Sequence, residues 1–275
     1  MSDAREQTKQ SQELVAAVAR VLEAGAVAAL ATVLTAPRGV GAKLLAAADG
    51  ARLAGTTGDA VCDQALASHA TRFLATRAEA QTYNVAEFAP ALDSWRAARV
   101  LFERIEPEPH VVVCGAGHVG AALARLARAV GYRVTLVDDR ADFVTRERFP
   151  EAEIELVAAR AGWAAAVRET VGAGRGVYVA VVTRGHNEDE QCLRAVLAAG
   201  PDYVGMIGSK RRTNIVLARL RAAGAAEASL REVRAPVGLD IGAVTPEEVA
   251  LAVLAEIVAA RRGGTGAPLS AWRRQ

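Results

Sequence analysis

The run His110-Val-Val-Val-Cys-Gly-Ala-Gly-His-Val-Gly120 holds the residue types best spaced for chemistry. It reads as a buried strand that enters a G-x-G-x-x-G turn and then a helix. Gly115, Gly117 and Gly120 permit a tight turn, close approach of backbone to a phosphate, and close helix–strand packing. The helix beyond them would aim unpaired N–H groups and its positive dipole end at an anion. About twenty residues on, the strand Tyr132 to Val137 ends in Asp138-Asp139, where such folds hold a ribose hydroxyl. The pattern points to a phosphate-bearing ligand. A tight turn over a water-filled crevice is the plainer alternative.

In a parallel sheet covered on both faces, ligands sit at the carboxyl ends of the strands. Three more segments should therefore join the glycine turn: Asp138-Asp139-Arg140, Thr183-Arg184-Gly185-His186, and Gly208-Ser209-Lys210-Arg211-Arg212. His118 suits donation to a ligand oxygen, or a helix cap or exposed loop position. His186, after a strand end, suits ligand binding or acid/base work near neutral pH. Asp189 and Glu190 read as solvated helix residues. Three cations at a helix start oppose the dipole, so a bound polyanion would explain Lys210, Arg211 and Arg212; a solvated basic turn is the alternative. Asp240, in the loop Gly238-Leu-Asp-Ile-Gly242, suits a hydrogen bond to ligand or to backbone.

Cys62 follows the glycine-rich Gly55-Thr-Thr-Gly58 near a helix start. There a helix dipole would acidify the thiol and fit it to react with sulfur or hold a metal; a buried structural thiol is the alternative. Cys114 and Cys192 read as core. Three isolated cysteines without C-x-x-C spacing imply neither a disulfide framework nor a structural zinc site. No nucleophile with a partnered base emerges from the spacing.

The elements that would position these groups fall into two parts. Residues 1–106 read as a small α+β domain. Its first ten residues look frayed, a helix follows from Leu14, and a buried strand covers Ala26 to Leu34. A hairpin turns at Asp49-Gly50, a helix covers Asp59 to Arg77, and a strand covers Arg99 to Ile105. Glu106-Pro-Glu-Pro109 is a stiff charged linker. Residues 107–275 alternate apolar strands and helices, the pattern of a Rossmann-like parallel sheet with helices on both faces. The helices fall near Val119 to Val130, Phe143 to Phe149, Trp163 to Val171 and Glu188 to Ala198. A last helix opens on Thr245-Pro-Glu-Glu248, a capping box with proline in its first turn.

Composition narrows the function. The 33 Lys and Arg against 31 Asp and Glu argue against a dedicated nucleic-acid binder. The polar start lacks the apolar core of a signal peptide, and the apolar run Gly25 to Ala36 is too short to span a bilayer. A soluble cytoplasmic protein with no membrane partner is expected.

Three motifs resemble the XdhC/CoxI family, the accessory proteins of xanthine dehydrogenase and related molybdenum hydroxylases. They are Cys-Gly-Ala-Gly-His-Val-Gly120 with Val-Asp-Asp-Arg140, Tyr203-Val-Gly-Met-Ile-Gly-Ser-Lys-Arg-Arg212, and Arg234-Ala-Pro-Val-Gly-Leu-Asp-Ile-Gly242 with its following helix. In the front half, Ala36-Pro-Arg-Gly-Val-Gly-Ala-Lys43 resembles a shortened Ser-x-Pro-Arg-x-x-Gly stretch. Asp59-Ala-Val61 stands where some members carry Gly-Gly-Cys, which leaves Cys62 one position off. The resemblance implies a chaperone rather than an enzyme. Such a protein binds molybdenum cofactor, as molybdopterin or its cytosine dinucleotide, and helps its sulfuration by a cysteine desulfurase. It delivers the cofactor to an apo molybdenum hydroxylase, and it is expected to be a homodimer. Two other readings stand beside it. One is an NAD-dependent oxidoreductase with Asp138 and Asp139 on the adenosine ribose. The other is a relative that has lost its ligand and only docks partners.

Overall fold

The computed structural model describes residues 2–76, 78–172 and 174–270, with side chains from Lys9 onward. Arg77, where the helical pattern was expected to end, lies outside the described residues. The chain divides into two units, Met1–Pro107 and Glu108–Gln275.

The first unit is an antiparallel sheet with a helix on each face. In chain order it comprises α1 (Ser2–Glu23), β1 (Ala28–Thr35), β2 (Lys43–Ala47), β3 (Arg52–Gly55), α2 (Ala60–Leu74), β4 (Ala80–Asn84), α3 (Val85–Phe88) and β5 (Arg99–Ile105). The sheet order is β3-β2-β1-β5-β4. β1 alternates because it is covered on both sides: Ala28 packs with Ala17 and Val21 of α1, and Ala31 and Val33 pack with Leu66 and Phe73 of α2. The expected fraying of the first ten residues is corrected, since α1 starts at Ser2. Gly50 supplies the positive φ of +85° that turns the β2–β3 hairpin. β4 carried no signal in the sequence: Ala-Gln-Thr-Tyr-Asn is a mostly exposed edge strand with no apolar alternation.

The second unit contains β6 (His110–Cys114), α4 (His118–Ala129), β7 (Arg133–Asp138), β8 (Ile154–Ala158), α5 (Trp163–Val171), β9 (Val177–Val181), α6 (His186–Ala199), β10 (Tyr203–Met206), α7 (Lys210–Ala222), α8 (Glu227–Arg231) and α9 (Pro246–Arg262). Its five strands are all parallel, in the order β10-β9-β6-β7-β8. The chain winds outward one way from β6 to β8, then the other way through β9 and β10. The switch point therefore lies between β6 and β9, where open α/β sheets bind ligands. β6 and β9 are buried at every residue, as a two-face-covered sheet requires. Val111 and Val113 pack under Leu123, Ala127, Val253 and Ile257 on one face. Val112 and Val179 pack under Val167, Leu193 and Val216 on the other.

The helix expected over Phe143 to Phe149 does not form. Only a short 3₁₀ turn, Ala141–Phe143, appears there. Arginine side chains take backbone carbonyls there instead: Arg148 Nη1 donates to Phe143 O at 3.1 Å, and Arg146 Nη1 to Glu151 O at 2.9 Å. The Phe143 ring lies under the guanidinium of Arg140 at 3.4 Å and that of Arg148 at 4.4 Å. Beyond β10, Arg234 to Val237 runs alongside the sheet. Arg234 N–H donates to Val204 O at 2.8 Å, and Val237 N–H to Met206 O at 3.0 Å. α9 carries the expected capping box, with Thr245 Oγ1 accepting from Glu248 N–H at 3.2 Å and Glu248 Oε2 from Thr245 N–H at 3.0 Å.

Candidate ligand-binding site

The Gly115–Gly120 turn is clamped to both neighbouring strands. Gly115 N–H donates to Val137 O of β7 at 2.7 Å, and Val182 N–H, just past β9, donates to Cys114 O at 2.8 Å. The three glycines do different jobs. Gly115 has φ +121°, and a Cβ there would come within 2.5 Å of Val182 O. A Cβ on Gly120 would run into the carbonyl oxygen of Gly115, so α4 packs against the turn only without a side chain. Gly117 caps α4 with φ −73°, an ordinary value, and a Cβ there would meet nothing within 4 Å. Its surface is an open cradle beside the first amides of α4, where no side chain of the cap residue takes a hydrogen bond.

His118 begins α4, is exposed, and borders a cavity of about 490 Å³. Ala121, Ala122, Leu126 and Phe149 give that cavity apolar walls; Arg125, Arg148 and Glu247 edge it. Arg148 Nη2 also donates to Ala116 O at 3.2 Å, which ties this cavity to the turn.

The acidic strand end behaves differently from the ribose-binding expectation. Asp138 is buried and points back into the turn, where Oδ2 accepts Ala116 N–H at 2.7 Å. Arg140 forks the same carboxylate, with Nε–Oδ1 and Nη2–Oδ2 both at 2.9 Å. Asp139 faces outward but is forked by Arg184 at 2.6 and 2.9 Å.

Thr183 is buried, and its Oγ1 donates to Asp189 Oδ1 at 2.6 Å. The expectation that Asp189 is solvated is corrected: it is fully buried on α6 and paired with Arg212 Nε at 2.5 Å. That pair also accounts for one of the three cations at the start of α7. Arg212 turns inward past Gly208, while Lys210 and Arg211 stay exposed. Ser209 is the helix cap, its Oγ accepting Arg212 N–H at 3.2 Å. His186 is exposed as the first residue of α6, which starts two residues earlier than the apolar spacing indicates. Asp240 is exposed and makes no hydrogen bond among the described residues.

The group that organises the Gly238 loop is Glu256. Its Oε2 accepts Gly238 N–H at 2.6 Å and the Tyr203 hydroxyl at 3.0 Å. Burial, with the carboxylate beside it, pushes the Tyr203 phenol well above its usual value. A carboxylate on the apolar stripe Ala252-Val-Leu-Ala-Glu-Ile257 was the available signal for it.

In the first unit the Gly55–Gly58 turn is wired by two acids. Asp63 accepts from Arg52 at 2.9 Å, Thr56 Oγ1 at 2.6 Å, and Thr57 N–H and Oγ1 each at 2.7 Å. Asp59 caps α2 and accepts Trp95 Nε1 at 3.0 Å and Arg38 at 2.8 Å. Cys62 lies fully buried beneath this network, and burial pushes its thiol up to about 11. Of the two readings of Cys62, the buried structural thiol is therefore the one the structure supports, against an acidified, reactive one. Among the described residues no three His, Cys, Asp or Glu side chains stand together as a metal site, and no helix is long and apolar enough to cross a membrane.

A doubly wound α/β domain with a glycine turn at its switch point, preceded by a small antiparallel α+β unit, defines the class. The chain belongs to the XdhC/CoxI family: residues 111–257 match the XdhC Rossmann domain, and residues 21–84 match the XdhC and CoxI family. It is 30% identical over 167 residues to a protein of Bacillus subtilis (strain 168) named as a probable subunit of xanthine dehydrogenase, covering 61% of this chain and 47% of that protein. It is 32% identical over 158 residues to the "Uncharacterized protein YqeB" of Escherichia coli (strain K12), covering 58% of this chain and 28% of that one. The chain thus spans less than half the length of the curated relatives it matches. In fold it is similar to a crystal structure of a xanthine dehydrogenase from Bacillus halodurans, with TM-score 0.63 and 19% identity over 90% of this chain and 65% of that one.

Proposed function

We propose that this chain is an accessory protein of a xanthine dehydrogenase-type molybdenum hydroxylase. It binds molybdenum cofactor as cargo, assists its sulfuration with a cysteine desulfurase, and hands it to the apo-hydroxylase, working as a homodimer. The relatives' names support the association with xanthine dehydrogenase. The observation that carries the binding role is Gly117. The turn around it is sterically committed to glycine at Gly115 and Gly120, yet the space over Gly117 is empty. A phosphate or pyrophosphate tail, as in molybdopterin or its cytosine dinucleotide, fits there against the first amides of α4. The cavity beside His118 offers room for the remainder. Cys62 does not fit a role on molybdenum or sulfur, because it is buried and its thiol is held neutral.

The NAD-dependent oxidoreductase reading loses one of the two acids it places on the ribose: Asp138 is spent on Ala116 N–H and Arg140, while Asp139 is forked by Arg184. The test is direct. Protein purified from cells that make the cofactor should carry a pterin, seen by fluorescence after oxidation, and loaded protein should restore activity to an apo molybdenum hydroxylase. Saturable NAD binding with no retained pterin would overturn the proposal.

A further inference from the structure

We infer that Arg184 is a phosphate-binding residue held in reserve by Asp139, and that the pair selects a phosphate ester with a hydrogen-bond donor beside the phosphate. β6 lies between β7 and β9, with Cys114 level with Val137 on one side and Val181 on the other. Asp139 follows the end of β7 and Arg184 follows the end of β9. Their fork, at 2.6 and 2.9 Å, therefore bridges the two strands that flank β6, at the end where the Gly115 turn begins.

A guanidinium presents the same two parallel donors to a phosphate as to a carboxylate. Both partners are partly exposed, at 43% and 28%, so the pair is solvent-screened and exchanges at little cost. Arg184 is already held by two acids, Asp139 and Glu188, whose Oε1 is 3.1 Å away. Asp138 is matched by Arg140, and Arg148 and Arg212 reach the carbonyls of Ala116 and Thr183. A phosphate that takes Arg184 leaves Asp139 bare beside it. The exchange becomes favourable when the ligand offers Asp139 an O–H or N–H in return. The closed pair thus admits phosphate esters of hydroxyl- or amino-bearing molecules and resists bare inorganic anions.

This rests on the turn being a phosphate site, and the test separates the two ideas. Calorimetry with the full chain compares inorganic pyrophosphate with cytidine diphosphate at matched ionic strength. Wild type should prefer the nucleotide. Asp139→Asn should bind pyrophosphate about tenfold tighter and lose that preference, while Arg184→Gln should weaken both ligands about tenfold. Thermal unfolding checks that both variants fold. Pyrophosphate affinity unchanged or weakened by Asp139→Asn, or either affinity unmoved by Arg184→Gln, would overturn the assignment. If Gly117→Val abolishes pyrophosphate binding while those two variants bind as wild type does, only the Arg184 assignment falls. If Gly117→Val leaves pyrophosphate binding intact, the turn itself is not the site, and the Arg184 assignment falls with it.

Discussion

Ala116 N–H donates to the Oδ2 of Asp138 at 2.7 Å, so the acid that ends β7 holds the glycine turn in shape from beneath. Burial alone would raise this carboxyl's pKa. Arg140 and the N–H groups of Ala116 and Arg140 outweigh it and hold the value below the usual range. A folded pKa lowered in this way adds stability above the unfolded value of about 4, and that stability is lost as pH falls through the folded value. The thermal midpoint should therefore fall as pH drops from about 5 to about 3. Other paired carboxylates, among them Glu155 and Glu248, add to the same fall. The diagnostic result is a shallower pH dependence in Asp138→Asn than in wild type; parallel curves would show that Asp138 contributes none of it.

Gly120 and Gly117 should separate sharply on substitution. Gly120→Ala forces a methyl into the Gly115 carbonyl and should cost about 2–4 kcal/mol, with the turn displaced. Gly117→Ala places its methyl in open space at a helix cap and should cost about 1 kcal/mol or less. Urea unfolding of both variants checks this. Equal losses would mean that the turn is not packed as described.

Asp189 should be the costliest acid to remove. Its side chain is fully buried and answers Arg212 and the Thr183 hydroxyl together. Asp189→Ala leaves a guanidinium and a hydroxyl without their partner, an effect of about 3–5 kcal/mol. Denaturant titration should show it, and Glu190→Ala, on the more exposed side of the same helix, should change little. Comparable losses from the two would contradict the buried pair.

The cysteines should be inert in the folded protein. Cys62, Cys114 and Cys192 are all buried, and burial drives Cys62 to about 11, with Thr57 only partly offsetting it. A thiol reagent at pH 8 should find no fast-reacting group in native protein and three after unfolding. Rapid labelling of Cys62 in the native state would restore it as a candidate reactive residue.

Much of the second unit was legible because its signals are local. Continuous apolar runs mark β6 and β9, glycine spacing marks the turn, and Thr245 to Glu248 marks the start of α9. What escaped depends on partners far along the chain. Arg184 meets Asp139 across 45 positions and Arg212 meets Asp189 across 23, so a row of cations and an exposed-looking acid gave no hint that they pair. The helix expected at Phe143 to Phe149 came from the strand–helix alternation, since its apolar residues do not recur at helical spacing. Its arginines found backbone carbonyls and a ring face instead, which no periodicity encodes. β4 lacked alternation because its side chains mostly face solvent. Cys62 was placed correctly near a helix start, but its burial follows from the fold of the whole first unit.

The central claim is that the phosphate tail of a pterin cargo rests on the open surface at Gly117. The most direct measurement is the pterin content of wild type and Gly117→Val purified side by side from cofactor-producing cells, with unfolding curves run on both. The account predicts bound pterin in the wild type and its loss in a variant that remains folded. Equal pterin in the two proteins would contradict it.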